Sequence, residues 1–262
     1  MMSVLALLFA CTGASVDAED SAAPADTDPP DDDTDTDPGP TASLTGTVTD
    51  PDGAPVAGVR VNVCRLVCKT MQTDADGAWA FNSIEAWTAM FYVTPDEASG
   101  YADPMVVLTL VEGEERVLDV VLDRFDTPRP LPATSEEVEV TDGLFLTVGA
   151  DILEPAPLTD LPSEVAAVRV PEAHRLPIEL VGELLDVWYV SPWEATSEAG
   201  VGVRLDNMWG MAPGDRARVW AASEPTTYAW LDAGELVVAE DGLTHVGDAA
   251  LPILTTMALV RE

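Results

Sequence analysis

Histidine is the side chain best suited to acid–base and metal chemistry near neutral pH, and the chain contains two, His174 and His245. Neither lies in an HxxxH, HExxH or histidine-plus-cysteine spacing that assembles a zinc site. The sequence also lacks the GxSxG, SxxK and P-loop motifs of serine hydrolases and nucleotide-binding enzymes. We therefore expect no catalytic residue, no metal and no cofactor. We expect His174 to be exposed in a proline-flanked loop and His245 to be exposed in an edge strand.

Tryptophan offers a second kind of chemistry, because an exposed indole stacks on sugar rings. The chain has seven tryptophans, and most are expected to fill the space between sheets. Trp193 and Trp209 differ because they stand in the loop-like contexts SPWEAT and DNMWGM. They are the candidate ligand-binding residues, and the alternative is that each packs over a sheet edge.

Two aspartate-rich turns, DPDG at 50–53 and DADG at 74–77, carry oxygen ligands of the kind that calcium binds. Neither continues to the bidentate acidic residue of an EF-hand loop, whereas Asp and Gly are typical of β-turns. We predict plain turns at both positions.

The charge balance limits the partners. The chain holds 47 acidic and 12 basic residues, for a formal charge of −35. Residues 1–42 contain about 10 of the acidic residues and no basic one, so the remainder is itself strongly acidic. Phosphate backbones are repelled by such a surface, and we expect no nucleic acid partner.

The N-terminal residues are predicted to be an export signal. Residues 1–10 are apolar apart from Ser3 and are too short to span a bilayer. Leu8, Phe9, Ala10 and Cys11 resemble the bacterial lipobox, which implies that Cys11 is lipidated and becomes the mature N-terminus. Thr12 in place of Asp implies sorting to the outer membrane. The n-region has no Lys or Arg, which leaves an ordinary signal segment or a different start as alternatives.

The remaining cysteines are close together in the sequence. Three cysteines in an exported chain leave one over, and a lipidated Cys11 accounts for it. Cys64 and Cys68 then form a natural pair, since three intervening residues at a hairpin tip bring two cysteines within disulfide range. A metal site is the less favoured alternative, because no second Cys or His pair lies nearby.

The sequence pattern changes sharply after the N-terminal region. Residues 11–42, beginning at the lipidated cysteine, are rich in Asp, Thr and Pro with little apolar mass, which predicts a disordered tether. From residue 43 short apolar alternations follow one another between Gly, Pro and Asp turns, which predicts antiparallel β-structure. The strings GTVTDPDGAPVAGVRVNV and TDADGAWAF resemble the carboxypeptidase regulatory-like domain. The resemblance spans 43–124 and implies a seven-strand sandwich related to transthyretin, of the carbohydrate-binding-like group.

The second half is again strand-like. Residues 125–137 are rich in proline and are predicted to be a stiff connector, with a second domain at 138–262. About half of that domain, from GVGVRLDNMWGM to DGLTHVG, loosely resembles the β-sandwich of netrin receptors and ankyrins. The fold class is therefore predicted to be all-β, with two tandem antiparallel β-sandwiches.

These features predict a non-catalytic lipoprotein of a bacterial cell envelope, in the outer membrane, acting as a binding or structural module. The membrane is the expected partner through the lipid on Cys11. A glycan or peptidoglycan ligand is the first alternative, by fold analogy. The second alternative is an adhesion or secretion-complex subunit that pairs with another envelope protein through sheet edges.

Overall fold

The computed structural model describes residues 39–96, 99–157, 159–160, 163–223 and 228–262. The predicted signal segment, Cys11 and nearly all of the predicted tether lie outside these residues. The described chain is built of strands, apart from one short 3-10 helix at Glu172–His174, and the predicted all-β class is confirmed. Within the described ranges, no helix is long and apolar enough to cross a membrane.

Eight strands form the first sandwich: β1 (Thr41–Thr49), β2 (Arg60–Cys64), β3 (Cys68–Gln72), β4 (Ala78–Glu85), β5 (Thr88–Thr94), β6 (Met105–Thr109), β7 (Glu115–Val117) and β8 (Val120–Val121). One sheet has β1 at its centre, antiparallel to β4 and parallel to β7 and β8. The other sheet is antiparallel, in the order β3-β2-β5-β6. A single apolar core lies between the two sheets.

The aspartate-rich turns fold as predicted. Asp50 Oδ1 accepts hydrogen bonds from two backbone N–H groups of its own turn, and Asp74 Oδ1 does the same in the second turn. Gly77 has φ of 73°, and a Cβ there would lie 2.4 Å from the Val48 carbonyl oxygen. Only glycine combines that conformation with that close approach. Both aspartates therefore stabilise turns.

Eleven strands form the second sandwich: β9 (Arg129–Pro130), β10 (Glu136–Thr141), β11 (Leu144–Val148), β12 (Glu164–Arg169), β13 (Glu183–Ser191), β14 (Thr196–Asp206), β15 (Arg216–Ser223), β16 (Ala229–Val238), β17 (Thr244–Gly247), β18 (Ala250–Ile253) and β19 (Thr256–Arg261). They belong to one sheet, in the order β10-β11-β14-β17-β16-β15-β19-β13-β12-β9, with β18 on β14. Residues from strands along the whole sheet share one core, so the sheet folds around it. The proline-rich segment contributes to this sheet, because Arg129–Pro130 pairs with β12.

Both expectations for the histidines are wrong. His245 lies on β17, which pairs with β14 on one side and β16 on the other, so the strand is interior and the side chain is fully buried. His174 is half-buried, because its Nδ1 lies 2.8 Å from Asp123 Oδ1 of the first sandwich. The strand pairings that bury His245 and the Asp123 contact of His174 both involve residues distant in sequence. The loop and turn patterns around the two histidines therefore did not reveal them.

Candidate functional site

The candidate site lies where the two sandwiches meet, and the alternation along β5 explains why they meet there. Phe91 and Val93 point into the first core, whereas Met90 and Tyr92 point out of the same sheet. The outward side chains pack against Ala222 of β15 and aromatic residues of the second sandwich. A strand that is apolar on both faces needs a cover on each face.

Polar contacts fix this arrangement. The backbone N–H of Met105 on β6 donates to Thr256 Oγ1 of β19 over 3.1 Å. A second apolar contact joins Ala102 to Val187 and Tyr189 of β13. The two sandwiches therefore share a packed interface.

Half-buried aromatic side chains rim the interface. Tyr92 and Trp193 lie with their ring centroids 5.3 Å apart, and Tyr228 and Trp230 pack against the same apolar cluster. We call Tyr92, Trp193, Tyr228 and Trp230 the junction aromatics. Among the described residues, the indole nitrogens of Trp193 and Trp230 are buried without a hydrogen-bond partner.

The cysteine hairpin borders the junction aromatics. Cys64 and Cys68 form the predicted disulfide. The Tyr92 hydroxyl lies 3.5 Å from Cys64 Sγ, and the Tyr228 hydroxyl donates to the Arg65 carbonyl. Within the hairpin, Leu66 is 88% exposed. The disulfide thus presents apolar side chains to solvent beside an aromatic surface.

The backbone next to the junction aromatics is strained. Glu194 has φ of 58° and Tyr228 has φ of 46°, and they are the non-glycine residues with positive φ in the described part of the chain. Such conformations cost on the order of 1–3 kcal/mol each and persist where the surroundings impose them. Both residues lie at or beside a junction aromatic, which singles out this region of the fold.

The second predicted ligand residue, Trp209, lies elsewhere, among polar and aromatic partners of the second sandwich. Its Nε1 donates to Asp186 Oδ2 over 3.2 Å, and its ring contacts Trp188 and His245 edge-on at 6.0 and 5.5 Å. Trp193 and Trp209 therefore do not share a site. Trp209 is half-buried like Trp193, but its indole N–H is engaged within the second sandwich and its ring packs against that core.

Titratable groups at the interface do not assemble a catalytic arrangement in the described residues. Burial raises the pKa of Asp123, although the hydrogen bond to His174 acts in the opposite direction. Burial also raises the pKa of Tyr189. No group of three His, Cys, Asp or Glu side chains in the described ranges is placed to hold a metal ion. The chemistry on offer at the junction is stacking, apolar contact and hydrogen bonding.

Sequence reasoning identified Trp193 and the disulfide but missed Tyr92, Tyr228 and the exposed hairpin residues. For Tyr92 the sequence did contain a signal. The run TAMFYVT at 88–94 is apolar at both alternating sets of positions, which indicates a strand covered on both faces. Tyr228 had no comparable signal, because its place depends on a packing partner far away in the chain.

The solved structures that resemble this chain share little sequence with it. No curated protein matches the sequence. Among solved structures, a candidate carbohydrate-binding protein of Bacteroides uniformis is 12% identical, with 85% of this chain and 80% of that chain covered and a TM-score of 0.28. The TIE protein of Bacillus anthracis is 8% identical, with 85% and 49% covered and a TM-score of 0.27. The major pilin subunit of Bacillus cereus is 11% identical, with 81% and 85% covered and a TM-score of 0.24. These similarities are too low to transfer a function.

The second-half resemblance to netrin receptors and ankyrins stays a prediction. The family model of the carboxypeptidase regulatory-like domain, in contrast, matches residues 43–123. The matched residues span β1 to β8 and both aspartate-rich turns. Residues 43–123 are therefore a carboxypeptidase regulatory-like domain.

Proposed function

We propose that the protein is a non-catalytic binding or structural module of a bacterial cell envelope, held at the outer membrane by a lipid on Cys11. The lipobox-like residues before Cys11 support the anchor. The Cys64–Cys68 disulfide supports a location outside the reducing cytoplasm, where disulfides persist. The matched family at 43–123 is a non-catalytic domain.

One observation carries the binding role, namely the aromatic rim at the interface of the two sandwiches. Tyr92 and Trp193 come from different sandwiches, and both are half-buried. Two packed domains hold this surface rigidly. The protein therefore loses little conformational entropy when a ligand binds there. The junction aromatics are therefore the surface that we assign to ligand binding.

A glycan is the ligand class that this surface favours. Tyrosine and tryptophan rings present flat apolar faces, and sugar rings stack on such faces. The ring pair of Tyr92 and Trp193, at 5.3 Å, supports this assignment. Peptidoglycan or a surface polysaccharide would be the natural source in an envelope.

Pairing through sheet edges has less support. The edge strand β10 carries Glu136, Glu137 and Glu139, and exposed charges on an edge oppose strand addition. The other edge of that sheet is the short strand β9, which contains Pro130. Lys69 on the edge strand β3 donates to the Ser83 carbonyl of β4 over 2.6 Å and partly covers that edge.

The glycan assignment is tested by titrating the full chain with a panel of envelope polysaccharides and following tryptophan fluorescence. Trp193→Ala is expected to weaken binding by about tenfold, because loss of one stacking contact removes about 1.4 kcal/mol. Trp193→Phe keeps an aromatic face and should retain most of the affinity. Trp209→Phe serves as the matched control away from the junction. Unchanged affinity in Trp193→Ala, or no ligand in the panel, contradicts the assignment.

The anchor is tested separately. Mass spectrometry of the N-terminal peptide is expected to show acyl chains on Cys11, and Cys11→Ser should move the protein from the membrane fraction to the soluble fraction. An unmodified Cys11 in a cytosolic product would refute the envelope location.

A further inference from the structure

The hairpin closed by the disulfide differs in charge from the rest of the chain. We call Arg65, Leu66 and Val67 the tip. From Gly53 to Thr73 the sequence has no acidic residue, and it includes Arg60, Arg65 and Lys69, although acidic residues outnumber basic ones 47 to 12 in the whole chain. The tip is therefore a basic and apolar projection on a strongly acidic protein.

The tip exposes its apolar side chains in a fixed shape. Leu66 is 88% and Val67 is 79% exposed. The disulfide closes the hairpin, the Arg65 guanidinium lies 4.5 Å from the centroid of the Trp87 ring, and the Tyr228 hydroxyl donates to the Arg65 carbonyl. A hairpin backbone held in this way loses little freedom when its tip enters an apolar phase.

The tip lies at the end of the first sandwich where the chain arrives from its N-terminal region. Trp87, under Arg65, follows Ala86, whose N–H donates to the Pro40 carbonyl over 2.8 Å. The Trp87 carbonyl accepts from Leu110, and the next residue, Val111, is 59% exposed. An anchor at Cys11 is connected to the fold through this end. The exposed aliphatic residues of the tip and Val111 therefore lie beside the point of attachment.

We propose that the tip docks on a lipid bilayer, with Leu66 and Val67 in the boundary between headgroups and acyl chains. Arg65 and Lys69 then lie at the level of anionic headgroups, which attract basic side chains. Glu85 and Glu112 lie at the same end of the sandwich and oppose that attraction, so apolar burial supplies most of the contact. This inference rests on the proposed membrane anchor and adds a second, weaker attachment that orients the two sandwiches.

A photo-crosslinking amino acid tests the contact in the full, anchored chain. The probe replaces Val67 in one sample and Leu243 in the matched control, and the protein is reconstituted in vesicles of phosphatidylcholine and phosphatidylglycerol. Leu243 is 68% exposed and lies beyond the far end of β16, about 30 Å along the strand from Tyr228. Lipid adducts are expected several-fold more often at residue 67 than at residue 243. Equal yields at both positions, or adducts of residue 67 with protein only, would overturn the proposal.

A second variant tests the same contact while the probe stays at residue 67. Leu66→Asp, in the chain with the probe at residue 67, is expected to lower the adduct yield by about tenfold, the effect of removing one exposed leucine from an apolar phase. Leu243→Asp in the same chain should leave the yield unchanged. An unchanged yield in Leu66→Asp would also overturn the proposal. Mass analysis of Cys11 reports on the anchor independently, so failure of the anchor and failure of the tip contact are distinguishable.

Discussion

Trp193 and Trp209 lie in similar local sequences, yet they occupy different environments. Trp193 is at the interface of the two sandwiches, where its indole nitrogen is buried and finds no hydrogen-bond partner among the described residues. Trp209 donates its indole proton to a carboxylate within the second sandwich. Buried indole nitrogens without a partner in the described chain also occur on Trp79 and Trp188 in the cores, so the nitrogen does not mark a site. What distinguishes Trp193 is the position of its half-buried ring between the two sandwiches.

Trp209 belongs to a charge cluster built on a buried carboxylate, with Arg169 of the cluster partly exposed. Asp186 is fully buried, and its carboxylate accepts hydrogen bonds from Arg169 at 2.6 Å, from Arg175 at 2.7 Å and from Trp209. Such a cluster holds its members in place only while every partner is present. The junction differs, because its side chains pack mainly through apolar contact and its hydrogen bonds, from Met105 N–H and the Tyr228 hydroxyl, involve no charged group. The difference predicts that substitutions will cost stability in the Asp186 cluster and affinity at the junction.

The largest effect is expected for Asp186→Ala. The substitution leaves the Arg169 and Arg175 guanidiniums near each other without their counter-ion, and Arg175 is mostly buried. Breaking a buried ion pair in this way costs about 3–5 kcal/mol in the free energy of unfolding, measured by urea denaturation. Glu137→Ala is the matched control, because it breaks the more exposed pair with Arg204 and should cost less than about 1 kcal/mol. Equal costs for the two variants would mean that the cluster is not structural.

A smaller effect separates the two tryptophans directly. Trp209→Phe keeps a ring but removes the donor to buried Asp186, and should cost about 1–3 kcal/mol. Trp193→Phe removes an N–H without a hydrogen-bond partner in the described chain, and should be close to neutral. Denaturation of both variants under the same conditions checks the comparison. If Trp193→Phe costs as much as Trp209→Phe, the junction is as constrained as the cluster.

The local sequence pattern was sufficient to predict several of the strands and turns of the fold. Alternating apolar residues located β1, β2 and β5, and the Asp and Gly residues located the turns at Asp50 and Asp74, because these structures depend on neighbouring residues. The spacing of Cys64 and Cys68 on either side of a hairpin tip predicted their disulfide correctly.

Long-range packing was beyond the same signals. Nothing in the local sequence of Asp186 shows that Arg175 and Trp209 converge on it, since the contacts join separate segments. The interface between the sandwiches was missed for a related reason, because an apolar strand predicts that both faces are covered but does not name the cover. Of the residues at the candidate site, the sequence thus pointed to Trp193. The position of its partner Tyr92 became visible only in the structure.

The smallest effect is a pH dependence that comes from the Trp209 side of the comparison. Burial lowers the pKa of His245, which packs on the Trp209 ring, below its ordinary value of 6.5. The neutral ring therefore contributes stability above pH 6.5, and this contribution is lost as the pH falls through the folded-state pKa, because the unfolded chain takes up a proton first. We expect His245→Gln to lose less stability than the natural chain between about pH 7.5 and pH 5. The free energies of unfolding at the higher pH give the cost of the substitution itself, and the loss on lowering the pH is measured from them. Identical pH slopes in the two proteins, measured by urea denaturation, would show that His245 is not the titrating group.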